Sequence, residues 1–168
     1  MTSRAEYRLI LRQDNADLRL TKRGYEVGLI SEERMEGVRE KERLIKEEIE
    51  RVSGVNIGTG DEVQAVMEQY GSTPLKTGAT LAELIKRPEL TYQCLAPIDK
   101  YRPQLREDIQ EQVNINLKYE GYIERQLRQV EHFKKLENKL IPENIDYTKI
   151  NGLRKEATQK LCKFNPRS

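Results

Sequence analysis

Two groups of basic side chains are the features of this sequence that could do chemistry, and both suit the binding of phosphate. In the first group, Arg4, Arg8 and Arg12 recur at a spacing of four residues, and Arg19 follows soon after. The planar guanidinium group of arginine matches the oxygen atoms of a phosphate. Salt bridging to the acidic residues nearby is the alternative, and the sequence leaves both interpretations open.

The second group combines three basic residues with two tyrosines. Its members are Lys118, Tyr119, Tyr122, Arg125 and Arg128. The bases of RNA stack on aromatic rings while basic groups pair with the phosphates. Core packing against a neighbouring helix is the alternative for the tyrosines.

Gly121 lies between the two tyrosines, inside a stretch that is otherwise strongly helical. A glycine within a helix costs about 1 kcal/mol relative to alanine. Its missing side chain allows close approach, either of a neighbouring helix or of an RNA backbone. Helix packing and RNA contact therefore both stay open for this residue.

Other kinds of site find little support. His132 is the only histidine, which argues against a His-based triad or a multi-histidine metal site. Neither a P-loop nor a complete GxGxxG motif occurs, and we nominate no catalytic or metal-binding residue. Cys94 and Cys162 lack CxxC spacing, which favours a reduced, cytoplasmic protein. No apolar run approaches the roughly 20 residues that span a bilayer, so no membrane association is expected.

The composition indicates helices with narrow apolar stripes. Charged residues make up 35% of the 168 residues and hydrophobic residues 36%. The net charge is only +2, so any basic surface must be local and produced by folding.

Hydrophobic periodicity predicts an all-α fold, a helical bundle with two long helices and several shorter ones. The long helices are expected at about 31–53, with Ser31 as the N-cap, and at 107–138. They are expected to pair antiparallel. No segment shows the alternation of apolar and polar residues that is typical of a β-strand. The shorter helices are expected at 2–13, 61–71, 80–87 and 153–164.

Four separated blocks, in the same order over essentially the whole chain, carry a resemblance. They read TSRAEYRLILRQDNADLRLT, KRPELTY, VNINLKYEGYIERQ and IPENIDYTKINGLRKEA. Together they resemble the C-terminal region of the GidA family, also called MnmG, of tRNA uridine 5-carboxymethylaminomethyl modification enzymes.

The resemblance implies a parent flavoenzyme. Family members bind FAD in an N-terminal domain, use NADH and a folate one-carbon donor, and act as homodimers in the bacterial cytoplasm or in mitochondria. With the GTPase partner MnmE they modify carbon 5 of the wobble uridine in certain tRNAs. The FAD domain, the NADH-binding insertion and the reactive cysteines have no counterpart here. We therefore expect a fragment that binds no cofactor and is inactive by itself.

The resemblance also implies a layout and a role. Residues 1–30 would join the FAD domain, 31–141 would form the helical bundle, and 142–168 would begin a truncated C-terminal helical subdomain. The role implied is tRNA recognition and partner docking, with the two basic groups above as the tRNA-binding candidates. The alternative is a scaffold that docks MnmE and braces the flavin domain without touching tRNA.

Overall fold

The computed structural model describes residues 7–137, 139–142 and 144–167. The elements follow in the order α1 Ala16–Glu26, α2 Glu32–Gly54, β1 Asn56–Ile57, α3 Asp61–Gln69, β2 Ala79–Thr80, α4 Leu81–Ile85, α5 Glu107–Glu137 and α6 Lys155–Phe164. Short 3₁₀ helices lie at Ala96–Ile98 and Tyr147–Lys149. The all-α prediction is confirmed. The strands β1 and β2 pair antiparallel, and at two residues each they are too short to produce an alternating pattern.

Local capping signals place several helix ends where the sequence predicts them. The hydroxyl of Ser31 accepts a hydrogen bond from the backbone N–H of Arg34 at the start of α2. At α4, Thr80 and Glu83 form the predicted capping box, with reciprocal bonds of 3.2 and 2.8 Å. After α3, Gly71 adopts a φ of 66°, a left-handed conformation that suits glycine.

The helix predicted at 2–13 is wrong in its described part. Residues 7–13 form turns, and the first described helix is α1, which begins three residues later. Side chains take the carbonyl groups that a helix would use. The side-chain amide of Asn15 donates to the carbonyl oxygen of Ile10 at 2.9 Å, and Arg12 donates to that of Leu9 at 2.5 Å. Residues 2–6 lie outside the described residues.

The chain forms two compact units, one ending at Glu124 and the other beginning at Arg125. The helix α5 contributes residues to both units. The predicted division at residues 30 and 141, which concerns the layout of a longer protein, stays a prediction.

The first unit has a continuous apolar core. Within it, α2 makes its most extensive backbone contacts with α1 and α4, not with α5 as the expected antiparallel pair requires. The N-terminal part of α5 joins the core through Ile109, Val113 and Leu117. The short helices therefore account for most of the backbone contacts of α2. The largest fully buried side chains are Tyr92, Met67, Leu81, Leu84, Ile85, Leu90, Leu95, Ile109, Val52 and Val113.

A buried ionic triad crosses this core. The guanidinium group of Arg51 lies between the carboxylates of Glu48 and Asp99, at 2.7 and 2.5 Å. Both carboxylates are almost fully buried, with side-chain exposures of 4% and 2%. The Tyr92 hydroxyl donates to Glu48 at 2.7 Å, and the Arg102 guanidinium stacks 3.8 Å above the Tyr92 ring. Burial, then the bond to Glu48, raises the pKa of Tyr92 well above its ordinary value.

A second buried charge joins three helices. The ammonium group of Lys41 in α2 lies 2.8 Å from Asp17 in α1 and 3.1 Å from Asp108 in α5. Burial tends to lower the pKa of Lys41, but the hydrogen bonds to Asp17 and Asp108 outweigh it and raise the pKa above its ordinary value. Lys41 is therefore charged in the folded protein, and its two partners satisfy that charge.

The second unit has little apolar burial of its own. It contains the end of α5, the 3₁₀ helix at Tyr147–Lys149 and α6, and α6 buries none of its residues. Asp146 caps the 3₁₀ helix by accepting the N–H of Thr148 at 3.0 Å, as the sequence predicts. The apolar residues of α5 are buried only in its N-terminal part. In the second unit, three apolar side chains of α5 are exposed: Leu127, Phe133 and Leu136.

Removing the cation of the triad should destabilise the fold strongly. The substitution Arg51→Met leaves Glu48 and Asp99 buried without a counter-charge, and we expect it to lower the free energy of unfolding by on the order of 3 kcal/mol. Urea titration monitored by circular dichroism measures the change. The control is Arg43→Met, which removes a guanidinium from exposed salt bridges of α2 and should cost far less. Equal losses in the two variants would contradict the role of the triad.

The carboxylate of Asp108 should make stability depend on pH. Burial tends to raise the pKa of Asp108, but the hydrogen bond from Lys41, together with the charges of Lys41 and Arg106, outweighs it and lowers the pKa below the ordinary 3.8. Such a group stabilises the fold above its unfolded-state pKa, and the contribution is lost as the pH falls through the lower folded-state pKa. We therefore expect Asp108→Asn to be less stable than the wild type near neutral pH.

Acidification then separates the two proteins. Between about pH 5 and about pH 2, Asp108→Asn should lose less stability than the wild type, because it lacks the carboxylate that becomes protonated. Urea unfolding across this range measures both curves. Parallel curves would show that the Lys41–Asp108 contact contributes nothing to the acid sensitivity.

Candidate nucleic-acid interface

Two of the N-terminal arginines form a salt bridge or hydrogen bonds within their own segment of the chain. Arg12 forms a salt bridge with Asp14 at 3.1 Å. Arg19 donates to the side-chain oxygen of Asn15 at 2.8 Å and to the carbonyl oxygen of Arg12 at 3.1 Å. These bonds hold the turns before α1 against its first turn. A phosphate would have to compete with them for the same donors.

The other two members of this group lie elsewhere. Arg8 is exposed on the turn, and Arg4 lies outside the described residues. Since residues 7–13 form turns, Arg8 and Arg12 do not share a helical face. The regular spacing of these arginines therefore does not align them on one helix in the part of the chain that the structure describes.

Lys118 in α5 has a structural role that its sequence context does not reveal. Its ammonium group donates to the carbonyl oxygens of Arg87 and Pro88, at 3.0 and 3.1 Å. These two residues follow the C-terminal end of α4, where carbonyl groups lack partners within the helix. Lys118 therefore fastens α5 to the end of α4 and has only part of its donor capacity left for a ligand.

The two tyrosines are on the surface, so the core-packing alternative for them is wrong. Tyr119 is 44% exposed and Tyr122 is 59% exposed. Their ring centroids are 6.5 Å apart with a tilted arrangement. Both rings are thus available to a molecule outside the chain.

Gly121 is not a packing glycine within this unit. A Cβ atom built on it would meet no described atom within 4 Å. It lines a shallow surface hollow with Tyr122 and with Lys86, which pairs with Glu120 at 2.5 Å. Close approach by a molecule outside the chain stays a prediction.

The second unit contains Arg125 and Arg128, the remaining candidates, on an exposed face of α5. They line an open surface hollow together with Gln129, His132 and Phe133. The spacing of these five residues, at i, i+3, i+4, i+7 and i+8, places them on one side of the helix. Sequence reasoning missed Gln129, His132 and Phe133 as members of this group, although the same spacing counted from Arg125 would have found them.

The two units differ in charge far more than the near-neutral total suggests. Residues 125–168 contain eleven basic and five acidic residues, a net charge of +6. Residues 1–124 contain nineteen basic and twenty-three acidic residues, a net charge of −4. Long-range electrostatic attraction of a polyanion therefore favours the second unit.

Two other kinds of site are absent from the residues described. Within 7–137, 139–142 and 144–167, no cluster of three or more His, Cys, Asp or Glu side chains is placed to hold a metal ion. Over the same ranges, the helices are too short or too polar to pass through a bilayer.

Fold and surface together define a helical domain with an acidic, well-packed unit and a basic, exposed one. Comparison with known proteins gives its family. The family model described as "tRNA modifying enzyme MnmG/GidA C-terminal helical domain" matches residues 32–127, and that of the corresponding "C-terminal helical bundle" matches residues 129–168. The chain belongs to the MnmG/GidA family, in its C-terminal helical region. The two matches meet close to the change of units after Glu124.

Individual relatives agree with this assignment. The chain is 61% identical over all its 168 residues to the tRNA uridine 5-carboxymethylaminomethyl modification enzyme MnmG of Lachnoclostridium phytofermentans, and 56% identical to that of Caldicellulosiruptor saccharolyticus. It spans 27% of the length of each. The form II crystal structure of Aquifex aeolicus GidA matches 98% of the chain with a TM-score of 0.66 and 39% identity. The match covers 25% of that GidA chain.

Replacing Gly121 should stabilise the protein. Because the added Cβ of Gly121→Ala meets open space, we expect the free energy of unfolding to rise by about 1 kcal/mol. The matched control is Gly37→Ala in α2, whose Cβ position is also open. Urea titration measures both. A destabilised Gly121→Ala beside a stabilised Gly37→Ala would contradict the open environment, and a selective loss of tRNA affinity in Gly121→Ala would support close approach of RNA.

Proposed function

We propose that this chain supplies tRNA binding to a uridine-modifying enzyme of the MnmG/GidA family, and that its second unit is the part that binds. The observation that carries the proposal is the net charge of +6 on residues 125–168. The curated relatives are named as tRNA uridine modification enzymes, which supports tRNA as the polyanion. Phosphate neutralisation supplies most of the sequence-independent affinity of proteins for nucleic acids.

The first unit offers weaker support for RNA contact. Its net charge is −4, and three of its candidates, Arg12, Arg19 and Lys118, are bonded within the chain. Tyr119 and Tyr122 keep exposed rings and are proposed to assist by stacking. Arg125 and Arg128 are proposed as the phosphate-binding residues of the second unit.

The parent activity is proposed to reside in other parts of the longer protein. The family resemblance assigns FAD, NADH and a folate one-carbon donor to the longer protein, which is proposed to act as a homodimer in the cytoplasm. The present residues do not fit a dinucleotide. Although β1 leads to α3 through Gly58 and Gly60, Val63 stands where the phosphate-binding motif has its third glycine, and the strand pair is antiparallel. Asp61 and Glu62 in the first turn would also repel a pyrophosphate.

A second candidate function is docking of the MnmE GTPase or bracing of the flavin domain. Exposed apolar side chains in α1 and in the segment just after it favour it. Leu20 is 55% exposed, Val27 is 70% exposed and Leu29 is 81% exposed. Apolar side chains concentrated in one region of a surface are typical of protein contacts.

Binding of tRNA should depend steeply on salt and on the second unit. In fluorescence anisotropy with labelled tRNA, we expect the affinity to fall by orders of magnitude between about 50 and about 200 mM salt. The double variant Arg125→Gln, Arg128→Gln should bind more weakly and show a shallower salt dependence, by roughly one unit of slope for each phosphate that is no longer neutralised.

The matched control removes the same charge from the first unit. Arg34→Gln, Lys76→Gln changes two exposed residues and should leave affinity within about twofold, because the polyanion is attracted mainly to the second unit. Equal effects of the two double variants would refute the assignment to residues 125–168. If the wild type binds no tRNA even at the lower salt, the docking function becomes the leading candidate, and a pull-down with the GTPase tests it.

A further inference from the structure

The exposed face of α5 in the second unit combines charge, amide and aromatic groups in a way that goes beyond phosphate attraction. Phe133 is 52% exposed although it is fully apolar. The His132 ring lies beside it, with the ring centroids 6.3 Å apart. Arg125, Arg128 and Gln129 line the same hollow, which has a volume of about 530 Å³. The face thus holds a flat apolar surface within reach of two guanidinium groups.

We propose that this face binds unpaired nucleotides of RNA, with a base stacked on the ring of Phe133 and the flanking phosphates paired with Arg125 and Arg128. This inference rests on the proposed function and names the kind of RNA structure recognised. Aromatic rings stack on bases of any sequence, and guanidinium groups follow the backbone. Gln129 can donate and accept hydrogen bonds, which suits the edge of an exposed base.

Unpaired RNA fits this face better than a duplex does. In an A-form helix the base faces are covered by their neighbours, so a ring such as that of Phe133 has nothing to stack on. Phosphates are present in both forms, so Arg125 and Arg128 alone would not distinguish them. The ring of Phe133 therefore accounts for the selectivity for unpaired RNA over duplex RNA.

A packing surface for an apolar helix is less consistent with the same residues. Four of the five that line the hollow are polar or basic, and covering two guanidinium groups with an apolar helix would be costly. Residues 125–139 contain five basic and two acidic residues, which complements an anionic partner. The charge pattern thus favours RNA as the occupant.

The test compares single-stranded and duplex RNA on the 168-residue chain. Fluorescence anisotropy is measured with a labelled unstructured oligoribonucleotide of about 12 nucleotides and with a blunt RNA duplex of similar length. This length lies within the roughly 4–16 nucleotides that one single-strand binding fold covers. Phe133→Leu keeps an apolar side chain but removes the aromatic face. We expect it to weaken single-strand binding roughly five- to hundredfold and to leave duplex binding within about twofold.

Two controls make the result specific. Leu127→Ala truncates another exposed apolar residue of α5 that does not line the hollow, and should change neither affinity appreciably. Lys135→Gln removes a charge from a residue that does not line the hollow and should weaken both RNAs alike. Circular dichroism confirms that each variant keeps its helix content.

The outcomes separate the inference from the function on which it rests. Selective loss of single-strand affinity in Phe133→Leu, with Leu127→Ala unchanged, supports the stacking site. Wild-type binding to RNA that is unaffected by Phe133→Leu overturns the stacking site and leaves the proposed tRNA binding intact. Failure of the wild type to bind tRNA, oligonucleotide or duplex at low salt overturns both.

Discussion

The ion triad of Glu48, Arg51 and Asp99 is the interaction on which the first unit depends. It places two carboxylates inside the core of a small helical unit with a partly exposed guanidinium group between them, and either buried carboxylate alone would be strongly unfavourable. Arg51 satisfies both carboxylates at once, and the hydroxyl of Tyr92 completes the coordination of Glu48. Separating α2 from the loop between α4 and α5 would leave a buried charge without its partner, at the full cost of desolvation. The triad therefore fixes the position of this loop against α2.

Around the triad, polar contacts join the elements in addition to the apolar core. Lys41 links α1, α2 and α5, while Lys118 fastens α5 to the end of α4. Gln112 reaches from α5 to the backbone and side chain of Asp14 at 3.1 and 2.9 Å. Long charged side chains can do this because their aliphatic stems pack while their heads find partners. A chain with 35% charged residues thus builds a specific core.

What the sequence can predict depends on how local each signal is. The caps at Ser31 and Thr80 involve neighbours three residues away, so they can be recognised from sequence alone. The prediction of a helix is wrong over residues 7–13, where Asn15 and Arg12 donate to carbonyl groups that periodicity assigns to a helix. The Arg51–Asp99 bond of the triad and the Lys118 contact join residues that are tens of positions apart. No local sequence pattern predicts them.

The candidate interface is predictable in the same uneven way. Composition and spacing identify the exposed tyrosines and the pair Arg125 and Arg128 as candidates. The hydrogen bonds that Arg12, Arg19 and Lys118 form within the chain are seen only in the structure. Phe133 lies in the helix predicted at 107–138, and helical periodicity does not show which apolar residues of that helix are covered. The charge contrast between units is present in the sequence, but it becomes visible only when the chain is divided after Glu124.

The sequence separations within the polar contacts have a consequence for folding kinetics. Arg51 and Asp99 are 48 residues apart, and Gln112 and Asp14 are 98 residues apart. Closing loops of this length costs entropy that helix formation in α2 or α3 does not. We expect local helical contacts to build the rate-limiting step and these long-range contacts to form after it. Removing them should then shorten the native lifetime more than it slows folding.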